Sequence, residues 1–429
     1  MVNSKNRKLS ITDRLADYFA RLFKKKPDLI FRIIRNIKPN LSLPGKGGFV
    51  IVARFHDVRE ALERPEIFNV VYAPMMDPSV GPFMLGRDNT TINQRDKGIM
   101  RALMQREDLP RVRELVSRLT KDAIRPHLSE GKIDVVKHIS RHVPIRLTGE
   151  YFGFAGPDIE SMLRWSFTTQ HDMFHNFPGA DKKVHEANVR SGNEMRSYLE
   201  GQIPLHRAGL ENAPLRDEIL SRLLKVQTPV EIGFDEARIA TNIMGTLVGG
   251  IETTSQAIAQ ILQQLFKRPD ILKDAVGAAR AGNDDLVASY CWEALRFDPI
   301  NPFMFRRCVE DYKIASGTFR RLKIKAGKTV LISTRSAMRD GRELPNASEF
   351  RIDRPKYHYM HFGYALHSCL GDQVSSVQIP EIIKQLLLLP GVTELKPITN
   401  LGSTQLEQGE ESPFPESYTL GFDKQSDYS

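Results

Sequence analysis

The 429-residue sequence predicts a mainly α chain with a small β portion, and three observations carry that expectation. Apolar residues recur at helical spacing over residues 110–128, 133–152, 158–174, 184–206 and, longest of all, 234–266. Strand-like runs are short: 49–54 after a Gly-Gly pair, and a stretch from about 303 to 333 broken by Gly/Lys turns. Hydrophobic residues make up 41% of the chain, enough for one large α-rich domain or for two domains.

Composition narrows the classes. The three cysteines, Cys291, Cys308 and Cys369, do not make a disulfide framework and point to a reducing compartment. No apolar run reaches transmembrane length and no signal-peptide pattern opens the chain, so a cytoplasmic location is expected. The net charge of +9 is local. Residues 1–40 hold eleven Lys/Arg against three Asp, a net +8, which leaves the rest nearly neutral. Nucleic-acid binding by the whole protein therefore loses its support.

Taken in order, residues 11–23 place Leu15, Tyr18, Phe19, Leu22 and Phe23 on one helical face, and Ile30, Ile33, Ile34 and Ile37 share another. With Lys24-Lys25-Lys26 between them, these segments suit weak contact with an anionic membrane surface; packing of both faces on the protein body is the favoured expectation. Residues 56–64 read as a helix. Residues 70–89 read as an irregular apolar loop with Met75, Met76, Phe83 and Met84, equally suited to an adaptable ligand cover and to core packing. A helix over 95–105 puts Lys97 and Arg101 one turn apart on one face, which suits a carboxylate-bearing ligand or a solvated basic surface. The helices between 110 and 230 carry no catalytic pattern.

Within 234–266 stands Gly249-Gly250-Ile251-Glu252-Thr253-Thr254. Two glycines inside a helix cost about 1 kcal/mol each relative to alanine, tolerable where something approaches the backbone or the helix must open. A threonine hydroxyl bonding a carbonyl one turn back adds local distortion. A close helix crossing explains the glycines alone, but not the Glu-Thr that follows. Further on, Glu293 and Arg296 share a helical face, and Asp298-Pro299 ends that helix.

The last stretch is His361-Phe362-Gly363-Tyr364-Ala365-Leu366-His367-Ser368-Cys369-Leu370-Gly371, followed by a helical run over 374–389. A cysteine just before a helix N-terminus sees unpaired N–H groups and the positive dipole end, a setting expected to lower the thiol pKa. Gly363 and Gly371 permit close approach of a flat ligand. One thiolate is too few for zinc or an iron–sulfur cluster, and enough for haem. Pro380 predicts a kink or an early helix end.

Phe-Gly-x-x-x-His-x-Cys-x-Gly resembles the haem-binding loop of the cytochrome P450 family, with Ala365 where the family usually has glycine. Gly249-Gly250-x-Glu-Thr-Thr resembles the family's oxygen-activation segment, and Glu293-x-x-Arg296 its buried ion pair, with Arg354 as the third member. The resemblance covers about residues 40–422 and implies a single cytochrome P450-like haem domain over 41–422. A basic amphipathic segment over 1–40 precedes it and a flexible tail over 423–429 follows. It implies haem b ligated by Cys369, cradled by Phe362, Gly363 and Gly371, and approached by Gly249. Lys97, Arg101, Arg306 and His367 fall where the family contacts the haem propionates. Thr253 and Glu252 fall where it delivers protons to dioxygen. The implied activity is monooxygenation of a lipophilic small molecule by hydroxylation or epoxidation. Electrons would come from NAD(P)H through a separate ferredoxin or flavodoxin with its reductase, for which Arg95, Lys97, Arg101 and Arg106 offer an acidic partner a docking face. The segment 413–422 resembles the terminal hairpin that touches substrate. The alternatives are a peroxide-using or isomerising haem-thiolate enzyme and a non-catalytic haem protein.

Overall fold

The computed structural model of the chain describes residues 27–43, 48–176, 181–212, 217–400 and 414–425. The expected helix over 11–23 and the lysine run after it lie outside those residues. Two compact units form: residues up to Phe68 together with Pro302–Ser348, and Asn69–Asn301 together with Glu349 onward.

In the first unit, helix α1 (Pro27–Ile37) precedes a strand at Asn40–Ser42. That strand pairs antiparallel with Phe49–Val52, which pairs parallel with Thr329–Ile332, which pairs antiparallel with Met304–Cys308. The β portion thus joins segments some 280 residues apart in sequence. Val50, Val52, Val330 and Ile332 are buried, the uninterrupted apolar run of a strand covered on both faces. Helix α2 (Phe55–Leu62) buries Phe55, Val58, Ala61 and Leu62. The α1 face differs from expectation. Ile30 and Phe31 are buried, Phe31 against Ile51, Ala53 and Leu331, whereas Ile33 and Ile37 point to solvent. The packed stripe is centred on Phe31, with Ile34 partly buried against the same cluster.

The second unit is helical. Helix α3 (Thr91–Leu103) is capped by Thr90, whose hydroxyl accepts the Asn93 N–H, and starts four residues earlier than the apolar pattern suggested. Helices α4 (Leu109–Ile124) and α5 (His142–Glu150) follow. The continuous helix expected over 133–152 opens instead as a strand, Lys132–Asp134, then a π-turn, Val136–Ser140. The reason is tertiary: the strand pairs with Pro415–Gly421, which also pairs with Thr393–Asn400, so long-range ladder bonds replace helical ones. Helices α6 (Ile159–Gln170), with a π-turn at His171–His175, α7 (Lys182–Asn212) and α8 (Ile219–Lys225) come next. The predicted long run is two helices, α9 (Glu236–Gly250) and α10 (Glu252–Phe266), with Ile251 at the break. Helices α11 (Pro269–Arg280), α12 (Asp284–Phe297) and α13 (Asp372–Leu387) complete the unit.

The core of this unit is α10, buried nearly all round, set among apolar side chains of α4, α12 and α13 such as Val116, Leu295 and Ile383. Met75, Met76, Phe83 and Met84 are buried in the same core, so core packing decides that loop. Pro380 is buried inside α13, which runs on to Leu387 and does not end early. Packing of Ile379, Ile382 and Ile383 outweighs the single backbone bond that proline removes. The tail is tied down at first: the Asp423 N–H donates to the Pro390 carbonyl at 2.8 Å and the Gln425 N–H to the Leu128 carbonyl at 3.1 Å.

Candidate active site

The loop that ends at Cys369 is shaped by a few enforced backbone conformations. Gly363 has φ +73°, and a Cβ there would lie 3.0 Å from the His367 carbonyl oxygen, so a side chain is excluded twice over. Ala365 also takes a left-handed conformation, φ +53°. This is the position where the resembled motif carries glycine, and the conformation costs an alanine about 1 kcal/mol. The Cys369 N–H donates to the Phe362 carbonyl at 2.7 Å and the Ser368 N–H to the Ala365 carbonyl at 3.0 Å, closing the loop on itself. Gly371 forms the N-cap of α13.

Helix α3 grips this loop from one side. Lys97 Nζ donates to the carbonyls of Leu366 at 2.6 Å and Ser368 at 2.8 Å. Arg101 Nη2 donates to the Cys369 carbonyl at 3.0 Å and lies 3.4 Å from Asp372 Oδ2. Both expected cations therefore meet the cysteine loop, and they hold its carbonyls. Burial lowers the Lys97 ammonium from its ordinary value, with Arg101 adding to the effect. His367 Nε2 lies 3.0 Å from Asp88 Oδ1, which also accepts the Val70 N–H. On the other side, Phe362 meets Trp292 edge-on at 5.6 Å, and His361 Nε2 donates to the Trp292 carbonyl at 2.8 Å. Burial holds the His361 imidazole down at about 4.

The expected lowering of the Cys369 thiol is not what the protein alone imposes. Burial pushes the thiol above its ordinary value; the Gly371 amide, Lys97 and Arg101 pull it down, and Asp372 opposes them. Desolvation outweighs the helix terminus here, because a sulfur shut away from water loses more hydration than one N–H returns.

The second cluster is the break between α9 and α10. Thr253 Oγ1 donates to the Gly249 carbonyl at 2.5 Å and Thr254 Oγ1 to the Gly250 carbonyl at 2.8 Å. These side-chain bonds take carbonyls that a straight helix would use, and Ile251 turns to φ −99°, ψ −70° between them. A Cβ added at Gly249 or Gly250 would meet no atom within 4 Å, so the broken turn faces open space. The reverse holds at Gly245, where a Cβ would collide with the Phe83 ring at 2.4 Å. The two kinds of glycine thus separate cleanly, one for packing and one for an open face.

Glu252 is buried, and Arg141 meets it, Nη2–Oε2 3.0 Å and Nε–Oε2 3.2 Å. Arg141 also donates to the Pro415 carbonyl at 3.0 Å. Burial raises the Glu252 carboxyl, and the guanidinium opposes that rise. Behind Pro415, Phe414 packs with Phe167, His171 and His175, at 5.1 Å from the His175 ring. Burial holds the His175 imidazole down at about 4.

The third motif assembles as the sequence suggested. Glu293 accepts from Arg296 at 2.7 and 2.8 Å, from Arg354 Nε at 3.2 Å, from the Tyr359 hydroxyl at 3.2 Å and from the Arg351 N–H at 2.8 Å. Arg306 belongs to the other unit, where it is buried and donates to the Phe305 carbonyl at 2.8 Å. Sequence reasoning missed Arg141 and Asp88. Neither carries a local signal, since Arg141 meets Glu252 across 111 residues and Asp88 meets His367 across 279.

Comparison with known proteins agrees with this arrangement. The family profile for Cytochrome P450 matches residues 112–389. Mycinamicin IV hydroxylase/epoxidase of Micromonospora griseorubida is 24% identical over 82% of this chain and 84% of its own length. Vitamin D(3) 25-hydroxylase of Pseudonocardia autotrophica is 25% identical over 84% of this chain and 86% of its own. Among solved structures, CalO2 superimposes with a TM-score of 0.76 at 20% identity, covering 97% of this chain and 99% of that one. The chain belongs to the cytochrome P450 family. It is a monooxygenase with a haem cofactor, of the bacterial type. Among the described residues no helix is long and apolar enough to cross a membrane.

Proposed function

We propose that Cys369 would hold haem b through its thiolate, and that Glu252 and Thr253 would hold and pass on the protons its chemistry consumes. The chain's residues suit that cofactor in two ways. The cysteine ends a loop whose backbone is fixed by Gly363 and by the Lys97 and Arg101 donors, and the Gly249-Gly250 turn leaves open space where side chains would stand. When bound, haem with a thiolate ligand supplies O–O cleavage and insertion of one oxygen atom into substrate. The protein's share is positioning and proton supply. Phe362, Gly363 and Gly371 give the flat ligand a close backbone surface. Lys97, Arg101 and His367 bring cationic or donor groups for its propionates, exchanging the contacts they now make with loop carbonyls and Asp88.

The observation that carries the reading is the broken turn itself. Thr253 holds its hydroxyl on the Gly249 carbonyl beside the open face, next in sequence to a buried acid with a raised pKa. A carboxyl so placed holds a proton to higher pH than a free glutamic acid and passes it on more readily near neutrality. Phe167, His175 and Phe414 offer an apolar wall with neutral imidazole, which suits a lipophilic small molecule. The relatives named as hydroxylases or epoxidases of mycinamicin IV and vitamin D(3) support the same class. Electrons come from NAD(P)H through a separate ferredoxin or flavodoxin and its reductase, in the cytoplasm.

Thr253→Ala tests this reading. A monooxygenase loses the coupling of electron use to product and diverts reducing equivalents to peroxide and water. A peroxide-using or isomerising enzyme, or a haem carrier, is little changed, and that result would remove the proton-delivery role.

A further inference from the structure

The first unit carries a surface that the chemistry of the haem site does not use. Ile33 and Ile37, one turn apart on α1, are exposed, Ile37 by 79%. Phe319 is exposed by 91%, more than almost any other large apolar residue among those described. A phenylalanine so bare is not a loop accident here, because its loop is fixed. It caps the hairpin of Tyr312–Ile314 and Leu322–Ile324. Ala315 and Gly317 take positive φ, +52° and +80°. The Thr318 hydroxyl donates to the Ala315 carbonyl at 2.9 Å and accepts the Arg320 N–H at 3.1 Å.

Hydrogen bonds tie the two segments that carry these tips to one buried carboxylate. Asn40 Nδ2 donates to the Arg320 carbonyl at 3.0 Å and to Asp57 Oδ2 at 2.9 Å, and Arg320 pairs with both Asp57 oxygens at 3.0 and 3.1 Å. Asn40 follows Ile37 by three residues, a span of about 10 Å at most. Phe319 adjoins Arg320. The buried node at Asp57 therefore locks the end of α1 to the Phe319 loop. Arg32 and Lys38, on α1 and just after it, and Lys313 and Arg321, on the hairpin, are exposed.

Exposed apolar tips on segments that also carry exposed cations have the chemistry of an interfacial anchor. We infer that this face docks on an anionic lipid surface, with Ile33, Ile37 and Phe319 entering the headgroup boundary and the basic residues neutralising lipid charge. Charge complementarity selects this partner over a second copy of the chain, whose matching face would present the same positive charge. It selects lipid over nucleic acid because a phosphate backbone has no use for three bare apolar tips.

The test is flotation of the full-length protein with vesicles of phosphatidylcholine alone and of phosphatidylcholine with roughly a third phosphatidylglycerol. The protein is expected to float with the anionic vesicles only, and less so in high salt. The double variant Ile37→Asp, Phe319→Asp should lower that partition roughly tenfold or more, since it removes apolar burial and adds repulsion. Both side chains are exposed, so the variant keeps the Soret spectrum and far-ultraviolet circular dichroism of the parent. Equal flotation with neutral vesicles, no flotation, or flotation unaffected by the variant would each overturn the inference. So would duplex DNA displacing the protein from anionic vesicles, or a dimer in solution that the double variant dissociates. The readout is the protein itself, so this result stands apart from the outcome at the haem site.

Discussion

Replacing Glu293 by alanine removes the acceptor on which five hydrogen bonds converge, from Arg296 twice, Arg354, Tyr359 and the Arg351 N–H. The side chains of Glu293 and Arg296 are wholly buried and that of Arg354 nearly so. Removing one partner of such a cluster costs about 3–5 kcal/mol, because the remaining charges stay desolvated. Here both arginines also donate to the Glu349 carbonyl, at 3.0 and 3.2 Å, which retains part of their hydrogen bonding and places the loss toward the lower figure. Against a total stability of about 5–15 kcal/mol, that is enough to leave much of the chain unfolded or unable to keep its cofactor. The assay is haem content of the purified variant beside its urea midpoint. Glu293→Gln, which keeps an acceptor oxygen without the charge, should fall between. A Glu293→Ala protein with full haem and a stability loss under about 1 kcal/mol would refute the reasoning, since a buried charge cluster cannot lose its centre so cheaply.

Arg141→Gln removes the guanidinium that opposes burial at Glu252. The carboxyl then rises further and keeps its proton to higher pH, so the alkaline limb of the turnover profile should move upward, and a Glu252→Gln background should abolish that shift. Gly363→Ala forces a side chain into φ +73° with the His367 carbonyl 3.0 Å away, and should cost about 1–2 kcal/mol and lower haem retention, read by thermal melting with the Soret band. His361 gives a pH prediction. Its folded-state pKa is depressed to about 4, so the unfolded chain takes up the proton first as pH falls. Its contribution is intact above about pH 6.5, shrinks as pH drops toward 4 and is flat below, with at most about 3 kcal/mol at stake. His361→Gln should flatten the denaturation midpoint over that window, and an unchanged slope would show that His361 is not the titrating group.

What the sequence made legible was local. The cysteine loop, the Gly-Gly-x-Glu-Thr-Thr turn and Glu293-x-x-Arg296 each announce themselves by spacing within a dozen residues, and the structure places each in the second unit. Arg354 could be found because its partner motif was already known to need a third member. Arg141, Asp88 and Asp57 could not, because each meets its partner through tertiary packing that no spacing encodes. The same physics explains the misread segments. Residues 132–134 leave the helical pattern for a strand because the Pro415–Gly421 ladder satisfies their backbone. The run over 234–266 breaks at Ile251 because threonine hydroxyls take the glycine carbonyls. The thiol of Cys369 was misjudged because the dipole argument omitted desolvation, which only the surrounding atoms reveal.

The measurement closest to the central claim is the spectrum of the reduced, carbon monoxide-bound protein, taken for the parent and for Cys369→Ala. Thiolate ligation by Cys369 predicts the strongly red-shifted Soret band of a thiolate–haem complex in the parent and its loss in the variant. The same band surviving in Cys369→Ala, or its absence from a parent that carries haem, would contradict the assignment of Cys369 as the ligand.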